Sequence, residues 1–279
     1  MSARNHGATV SRRLVSHRLR AMVRRAVAFS LYYSGLLWLQ ARHKLRGRAV
    51  VLMYHRVLPP EADTCSTDGI VVTPATFARH MAFLSRHFRP LSSGQFRACL
   101  DAGRLPDRAC LVTFDDGWSD NEQFALPVLE RFQVPAIMFL ATGFVGGSRP
   151  FWQEELTRLL VEVHRGRPAD RSVLNEFGLL TGQDATEVEL RRAARDVVTR
   201  LKSASDDDVD ALRCRLSPPD GPANRHTRRY GDDSFLDWDA ARRLATHPLI
   251  AVASHAHSHV PLTRLGRHGA QLDLLRSLE

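Results

Sequence analysis

The sequence has few cysteines and lacks the spacings in which cysteine usually binds a metal or performs redox chemistry. Only four occur among the 279 residues (Cys65, Cys99, Cys110 and Cys214), and no two are separated by just two residues. This excludes a zinc ribbon and a thioredoxin-like redox pair, because both need closely spaced cysteines. Scattered cysteines are typical of buried thiols in a reducing compartment, so we expect a cytoplasmic protein.

Acidic residues are absent from the first 48 positions, which carry eleven lysines and arginines. The remaining 28 basic and 30 acidic residues leave positions 49–279 with a net charge of −2. The formal charge of +9 on the whole chain therefore belongs to a basic N-terminal arm, residues 1–48. Because the body of the protein is close to neutral, we expect no nucleic-acid partner.

The arm lacks an apolar run long enough to span a bilayer. Its apolar residues 26–39 cover about 21 Å as a helix, whereas the hydrocarbon core is about 30 Å thick. Twenty-five residues precede the run and no small-residue cleavage site follows it, which disfavours a signal peptide. Basic flanks and the aromatic residues Tyr32, Tyr33 and Trp38 favour an amphipathic helix on the anionic inner face of the cytoplasmic membrane. The alternative is a helix packed on the globular domain.

From position 49 onward, short apolar segments alternate with segments of helical period. Buried strands are predicted at 49–54, 109–114, 134–141 and 249–254, and helices at 76–88, 93–100, 121–132, 151–164, 186–202, 237–245 and 271–278. Such alternation is typical of parallel β/α units, in an open sheet or a barrel. Residues 148–234 interrupt the rhythm, and we expect a mainly helical insertion outside the sheet.

Side chains that bind metals follow two of the predicted strands. Asp115 and Asp116 come directly after one strand, and His255 and His259 follow another. In α/β folds, the loops beyond the carboxyl ends of parallel strands form the active-site crevice. Histidines four residues apart lie on one side of a helical turn and can bind one ion. Two nitrogens and one carboxylate leave a position for water, as in catalytic zinc sites or in sites for iron, cobalt or nickel.

The second carboxylate of the pair is available as a base. Neighbouring strand residues point to opposite faces, so both aspartates reach one site only if the chain turns, which Gly117 permits. A metal lowers the pKa of its bound water from about 15.7 towards about 7. A free carboxylate beside it can accept the proton as that water attacks a carbonyl.

Three segments of the sequence resemble motifs of the NodB-like polysaccharide deacetylases, carbohydrate esterases that remove N- or O-acetyl groups. Thr113–Gly117 (TFDDG) is similar to the family's first motif. Residues 254–263 (SHAHSHVPLT) are similar to the second, with Ala256 where the family has threonine and with Pro261 displaced by one position. Residues 52–57 (LMYHRV) resemble the opening strand of many members.

The resemblance implies a distorted or incomplete (β/α) barrel over residues 49–279, which would carry the helical insertion and follow the basic arm. It also implies the activity. The enzyme would be a metal-dependent hydrolase that removes acetyl groups from an N-acetylated polysaccharide, oligosaccharide or lipid-linked sugar, with attack by metal-bound water.

Carried onto this sequence, the family's motifs assign a role to each candidate site residue. Asp115 would be the general base. Asp116, His255 and His259 would bind a divalent transition metal, zinc in the first place and cobalt, nickel or iron as alternatives. His55, at the end of the first strand, is a candidate substrate-binding residue, and its alternative role is to cap that strand.

The sequence also departs from the family pattern. The family places three further motifs after its histidines: an Arg-Pro segment that orients the base, an aromatic segment lining the acetyl pocket, and a Leu-x-x-His that supplies the general acid. None is found after His259, so we expect a C-terminally truncated member. The alternative function is therefore a catalytically impaired remnant that binds glycan or membrane. Phosphoryl transfer with Mg²⁺ is disfavoured because no Gly-x-x-x-x-Gly-Lys loop is present and imidazoles suit softer metals.

Overall fold

The computed structural model describes residues 22–31, 33–67, 69–147, 149–166, 172–179, 186–201, 204, 206–217 and 233–279. The predictions made for residues 1–21 of the arm and for residues 218–232 of the insertion lie outside the described residues.

Strands and helices are numbered here in chain order. The strands are β1 (Ala49–Tyr54), β2 (Arg56–Val57), β3 (Val71–Val72), β4 (Arg89–Pro90), β5 (Ala109–Phe114), β6 (Ala136–Leu140) and β7 (Ile250–Ser254). The helices are α1 (residues 22–31), α2 (Leu36–Lys44), α3 (Pro74–His87), α4 (Ser93–Asp101), α5 (Leu126–Phe132), α6 (Trp152–His164), α7 (Ser172–Glu176), α8 (Glu187–Leu201), α9 (Asp206–Leu216), α10 (Trp238–Ala245) and α11 (Gly266–Arg276). A π-helical turn (Asn121–Ala125) precedes α5, and a 3₁₀ turn (Leu262–Arg264) precedes α11.

A parallel sheet forms the centre of the fold. Its strand order is β1-β5-β6-β7, and β4 pairs with the beginning of β5. All six residues of β5 are buried, as expected for the central strand of a parallel sheet. Within the described chain the sheet is open and does not close into a ring. The predicted α/β fold is therefore confirmed, and its sheet is that of an incomplete barrel and not of a closed one.

The main apolar core lies between the sheet and helices α3, α5 and α10. Helix α3 illustrates why these segments fold as they do. The Thr73 side chain caps it by accepting a hydrogen bond from the Thr76 backbone N–H. Phe77, Met81 and Leu84 then recur at helical spacing and are all buried. One face of α3 therefore covers the sheet.

The described residues between α6 and α9 form helices with a core of their own. Leu160 of α6 packs in one cluster with Val197 of α8 and Leu212 of α9. No individual helix is predicted from the sequence at the position of α9, although the insertion as a whole is expected to be mainly helical. The helix forms because Val209, Leu212 and Leu216 recur at helical spacing among charged residues and are all buried.

The arm does not form the single helix predicted over residues 26–39. Helical conformation is interrupted at Ser34 and at Gly35, whose φ of +73° suits a residue without a Cβ. Large apolar side chains are exposed on both sides of this break: Met22, Val23, Val27, Phe29, Leu31, Tyr33, Leu36 and Leu39. Among the described residues, no helix combines the length and the apolar character needed to cross a bilayer.

Arg56 of β2 is a fully buried cation that joins several loops near the end of the sheet. Its Nε donates to Asp120 Oδ2 at 2.8 Å and its Nη1 to Asp233 Oδ1 at 2.5 Å. The guanidinium also lies 4.0 Å from the centre of the Trp118 ring. Because both carboxylates are out of water, each needs this cation as a partner. The network fixes the chain around the strand ends described next.

Candidate functional site

The chain turns sharply where β5 ends at the two aspartates. The Asp115 N–H still donates to the Tyr54 carbonyl oxygen at 2.9 Å, continuing the ladder between β1 and β5. Asp116 and Gly117 then have φ values of +79° and +85°. A Cβ on Gly117 would lie 2.9 Å from Cδ2 of Leu140, so only glycine fits there. The predicted turn is present, and Asp116 itself carries part of the backbone strain.

The loop after β7 carries both candidate histidines. The His255 N–H donates to the Leu140 carbonyl oxygen at 2.7 Å, which extends the pairing of β6 with β7. Ala256 and His259 both have positive φ, +61° and +58°. The loop is held on the segment after β6, because the Thr142 N–H donates to the Ala256 carbonyl oxygen at 3.1 Å. The ends of β5 and β7, on either side of β6, thus present their side chains at one edge of the sheet.

Asp273 of α11 anchors the same loop from the other side. Its carboxylate accepts hydrogen bonds from the backbone N–H groups of His257 and Ser258, each at 3.0 Å. Burial alone would raise the pKa of Asp273, but the hydrogen bonds from Ser258 and His257 hold it below its ordinary value. The His257 ring lies outside the cluster of Asp116, His255 and His259, with its Nδ1 at 3.1 Å from Thr142 Oγ1.

Asp116, His255 and His259 converge. Nε2 of His259 lies 3.1 Å from Asp116 Oδ1, and Nε2 of His255 lies 3.7 Å from the same oxygen. Potential ligand atoms of the three residues all lie within 4.8 Å of one another. Asp116 is only 3% exposed. The Trp118 Nε1–H donates to its Oδ2 at 3.0 Å, which fixes the orientation of the carboxylate.

The donor set fits a divalent metal ion. Asp116 Oδ1 is buried and makes no hydrogen bond within the described chain, although it faces two imidazole nitrogens. A buried carboxylate oxygen without a partner is costly, and a cation bound beside it would remove that cost. One carboxylate and two imidazoles are also the protein ligands of many catalytic zinc sites. We call these three residues the Asp-His-His cluster.

The two adjacent aspartates are in different electrostatic states. Burial raises the pKa of Asp115, and the nearby His255 and His55 only partly oppose that effect. Burial also acts to raise the pKa of Asp116, but the adjacent His259 imidazole outweighs it and lowers the value. Neighbouring carboxyl groups whose pKa values are pushed apart are typical of a division into base and ligand.

Two cavities share Phe151 and His259 as lining residues. The smaller, about 140 Å³, is also lined by His55 and Asp116. The larger, about 500 Å³, extends past Trp152 and Pro261. The Phe151 ring stacks on the His259 imidazole, with ring centres 3.8 Å apart and planes inclined by 17°. The structure therefore places the predicted residue His55 in the cavity that adjoins the Asp-His-His cluster.

Comparison with known families gives a match over the segment that carries the two aspartates. Residues 102–165 match the model of the family described as polysaccharide deacetylase. The matched segment contains β5 and both aspartates of the turn that follows it. This segment of the chain is therefore similar to the polysaccharide deacetylase family. The resemblance inferred from the sequence motifs is thereby confirmed.

Individual polysaccharide deacetylases are similar to parts of the chain. YxkH of Bacillus subtilis, which its curated name assigns provisionally to this family, is 28% identical over 111 residues, covering 39% of this chain and 37% of YxkH. A solved de-N-acetylase from Aggregatibacter actinomycetemcomitans matches with 15% identity and a TM-score of 0.37, over 75% of this chain and 54% of that one. The BpsB deacetylase domain of Bordetella bronchiseptica matches with 19% identity and a TM-score of 0.36, over 75% and 55%. The chain thus spans little more than a third of the curated relative and about half of each solved chain.

Several side chains that shape this site are not predicted by the sequence analysis. Trp118 comes directly after the first motif, and this closeness to the aspartates in the sequence is the one signal that could have predicted its place in the site. Phe151 and Asp273 lie far from both motifs in the chain. Nothing in their local sequence distinguishes a ring that stacks on a histidine or a carboxylate that anchors a loop, because both contacts are made only by the tertiary fold.

Replacing Asp273 by alanine should release the loop that carries the two candidate histidines. Each lost hydrogen bond is worth about 1 kcal/mol, so we expect the His257 and Ser258 amides to exchange about five-fold faster in hydrogen-exchange NMR at pH 7. Because the folded pKa of Asp273 is lowered, its stabilisation is present at neutral pH and disappears as pH falls through that pKa. The parent and variant should therefore become similar in acid. Equal exchange rates at pH 7 would contradict the anchoring role.

Proposed function

We propose that this chain is a metal-dependent carbohydrate deacetylase, which hydrolyses an acetyl group from an N-acetylated polysaccharide, oligosaccharide or lipid-linked sugar. The observation that carries the proposal is the convergence of Asp116, His255 and His259 around one buried carboxylate oxygen. A second carboxyl group, Asp115, stands next to it in the chain. The match of residues 102–165 to the polysaccharide deacetylase family supports an acetylated carbohydrate as the substrate.

The Asp-His-His cluster would hold the metal, and zinc is the ion that suits this ligand set best, with cobalt, nickel and iron as alternatives. When bound, such an ion activates water and polarises the acetyl carbonyl. Trp118 holds the Asp116 carboxylate in place through its indole N–H. Asp115 accepts the proton of the attacking water at its carboxylate, and its raised pKa makes it a better base near neutral pH. His55 would contact the substrate in the smaller cavity.

Metal analysis tests the ligand assignment. Protein refolded with zinc and dialysed should retain about one Zn²⁺ per chain, as a three-ligand catalytic site does. His255→Ala and His259→Ala should each lose most of it, because two remaining ligands hold zinc poorly. His247→Ala is the matched control, since that ring lies by the surface at 3.1 Å from Glu130 Oε1. A parent protein that stays metal-free after zinc refolding would count heavily against the proposal.

Acetate release from an N-acetylated chito-oligosaccharide tests the base. Asp115→Asn should keep the zinc but slow acetate release by about 10²–10⁴-fold, the usual contribution of a general base. Asn preserves the side-chain shape, so a loss reports the missing proton acceptor. If Asp115→Asn turns over at the parent rate, Asp115 is not the base. Zinc binding without any acetate release by the parent chain would favour a remnant that only binds glycan.

We further propose that the arm rests on the anionic inner face of the cytoplasmic membrane. Residues 1–48 carry eleven basic side chains and no acidic ones. The described part of this arm also exposes bulky apolar groups, including Phe29 (63%), Tyr33 (70%) and Leu36 (56%). Basic and apolar side chains together are the combination that binds an anionic lipid surface.

Co-sedimentation with vesicles tests this location. The chain should sediment with vesicles containing anionic phospholipid and much less with neutral phosphatidylcholine, and high salt should reduce binding. The double variant Phe29→Glu, Leu36→Glu should lose most of the binding. Leu100→Glu on α4 changes a leucine of similar exposure (54%) outside the arm and should bind like the parent. Equal sedimentation of all three proteins would refute the proposed contact.

A further inference from the structure

The smaller cavity beside the Asp-His-His cluster is completed by the helical insertion. One part of its wall, His55, Asp116 and His259, comes from the strand ends. The other lining residues belong to the insertion and to the segment after β2: Gln153, Glu154, Thr157, Arg195, Val198, Thr199, Cys65, Thr67 and Ile70, together with Phe151. The insertion therefore contributes polar side chains to the space next to the candidate active site.

Glu154 of α6 is the buried carboxyl group of that wall. It is 6% exposed, and its Oε1 accepts a hydrogen bond from Ser66 Oγ at 3.1 Å. Its Oε2 is buried and has no hydrogen-bond partner in the described part of the chain. The amide oxygen Oε1 of the adjacent Gln153 is in the same condition. Two neighbouring unpaired acceptors are costly in a folded protein, so their presence on one cavity wall points to donors supplied by a ligand.

The charged side chains near Glu154 that the structure describes do not donate a hydrogen bond to its Oε2. Burial, followed by the charge of Asp233, raises the pKa of Glu154 to about 7, while its own backbone N–H, Ser66 and Arg56 oppose the rise. Arg195 of α8 also lines the cavity, but its Nη1 donates to the Ser66 carbonyl oxygen at 2.9 Å. On the strand-end side the titratable groups are His55, Asp116 and His259. Near neutral pH the Glu154 carboxyl group can therefore accept a hydrogen bond or donate one.

We propose that Glu154, together with Gln153, binds hydroxyl or amide N–H groups of the sugar that carries the acetyl group. This rests on the proposed function and deepens it, because it makes the helical insertion part of the substrate site. A sugar ring presents several hydroxyl donors next to its acetamido group, which matches two acceptors on one wall. Glu154 is thus a substrate-binding residue that places the acetyl group beside the metal cluster.

Equilibrium binding tests this without requiring turnover. Titration calorimetry of zinc-loaded protein with an N-acetylated chito-oligosaccharide should show about ten-fold weaker binding for Glu154→Leu, because a ligand donor loses its acceptor. Glu154→Gln keeps the shape but replaces one oxygen by an amide nitrogen, and we expect about three-fold weaker binding. Both variants should retain the parent's zinc content. Glu162→Gln, eight residues further along α6 and outside both cavities, is the matched control and should bind like the parent.

The possible results separate this inference from the proposed function. Unchanged affinity in Glu154→Gln overturns the inference, even if Glu154→Leu fails to fold. A parent chain that binds zinc but no oligosaccharide overturns it as well. A parent chain that binds the oligosaccharide through Glu154 but releases no acetate overturns the deacetylase proposal alone.

Discussion

The organisation of the site depends on one buried carboxylate oxygen, Asp116 Oδ1. The protein places it at a strained backbone position, fixes the other oxygen with the Trp118 indole, and brings two imidazole nitrogens within 3.1 and 3.7 Å. The strained backbone and the unpaired carboxylate oxygen cost free energy in the folded protein, and a bound cation would offset the second of these costs. A site of this kind is stable enough to form because the surrounding sheet and loops hold its parts in place. The parts are held by the strained turn, by the anchored histidine loop and by the Phe151 ring that stacks on His259.

Much of the fold and the central cluster could be predicted from the sequence. Segments such as β5 are continuously apolar because they are buried on both sides, and local composition alone reports that. The cluster could be predicted because parallel strands bring their carboxyl ends to one edge, so Asp116 and His255 had to lie at the same edge once β5 and β7 were placed in one parallel sheet. Pairing of the strands in one sheet brings residues that are distant in the sequence close together in space.

What could not be predicted depends on contacts between distant segments. Helix α9 was missed because its three buried apolar residues are diluted by charged ones, so its composition resembles a loop. The break at Gly35 was missed because an apolar run predicts a helix without showing where the backbone changes direction. The roles of Arg56 and Asp273 were not visible at all. A buried arginine and an anchoring aspartate look like surface residues in sequence, and only the carboxylates and backbone N–H groups they meet reveal their function.

The stacking of Phe151 on His259 joins the insertion to the proposed metal cluster mechanically. Phe151 directly precedes the first helix of the insertion, so the position of that helix and the orientation of the His259 imidazole are linked through the stacked rings. A sequence change in the packing of α6 can thus reach the His259 ring, and the substitutions that the insertion tolerates are limited by a residue more than a hundred positions away.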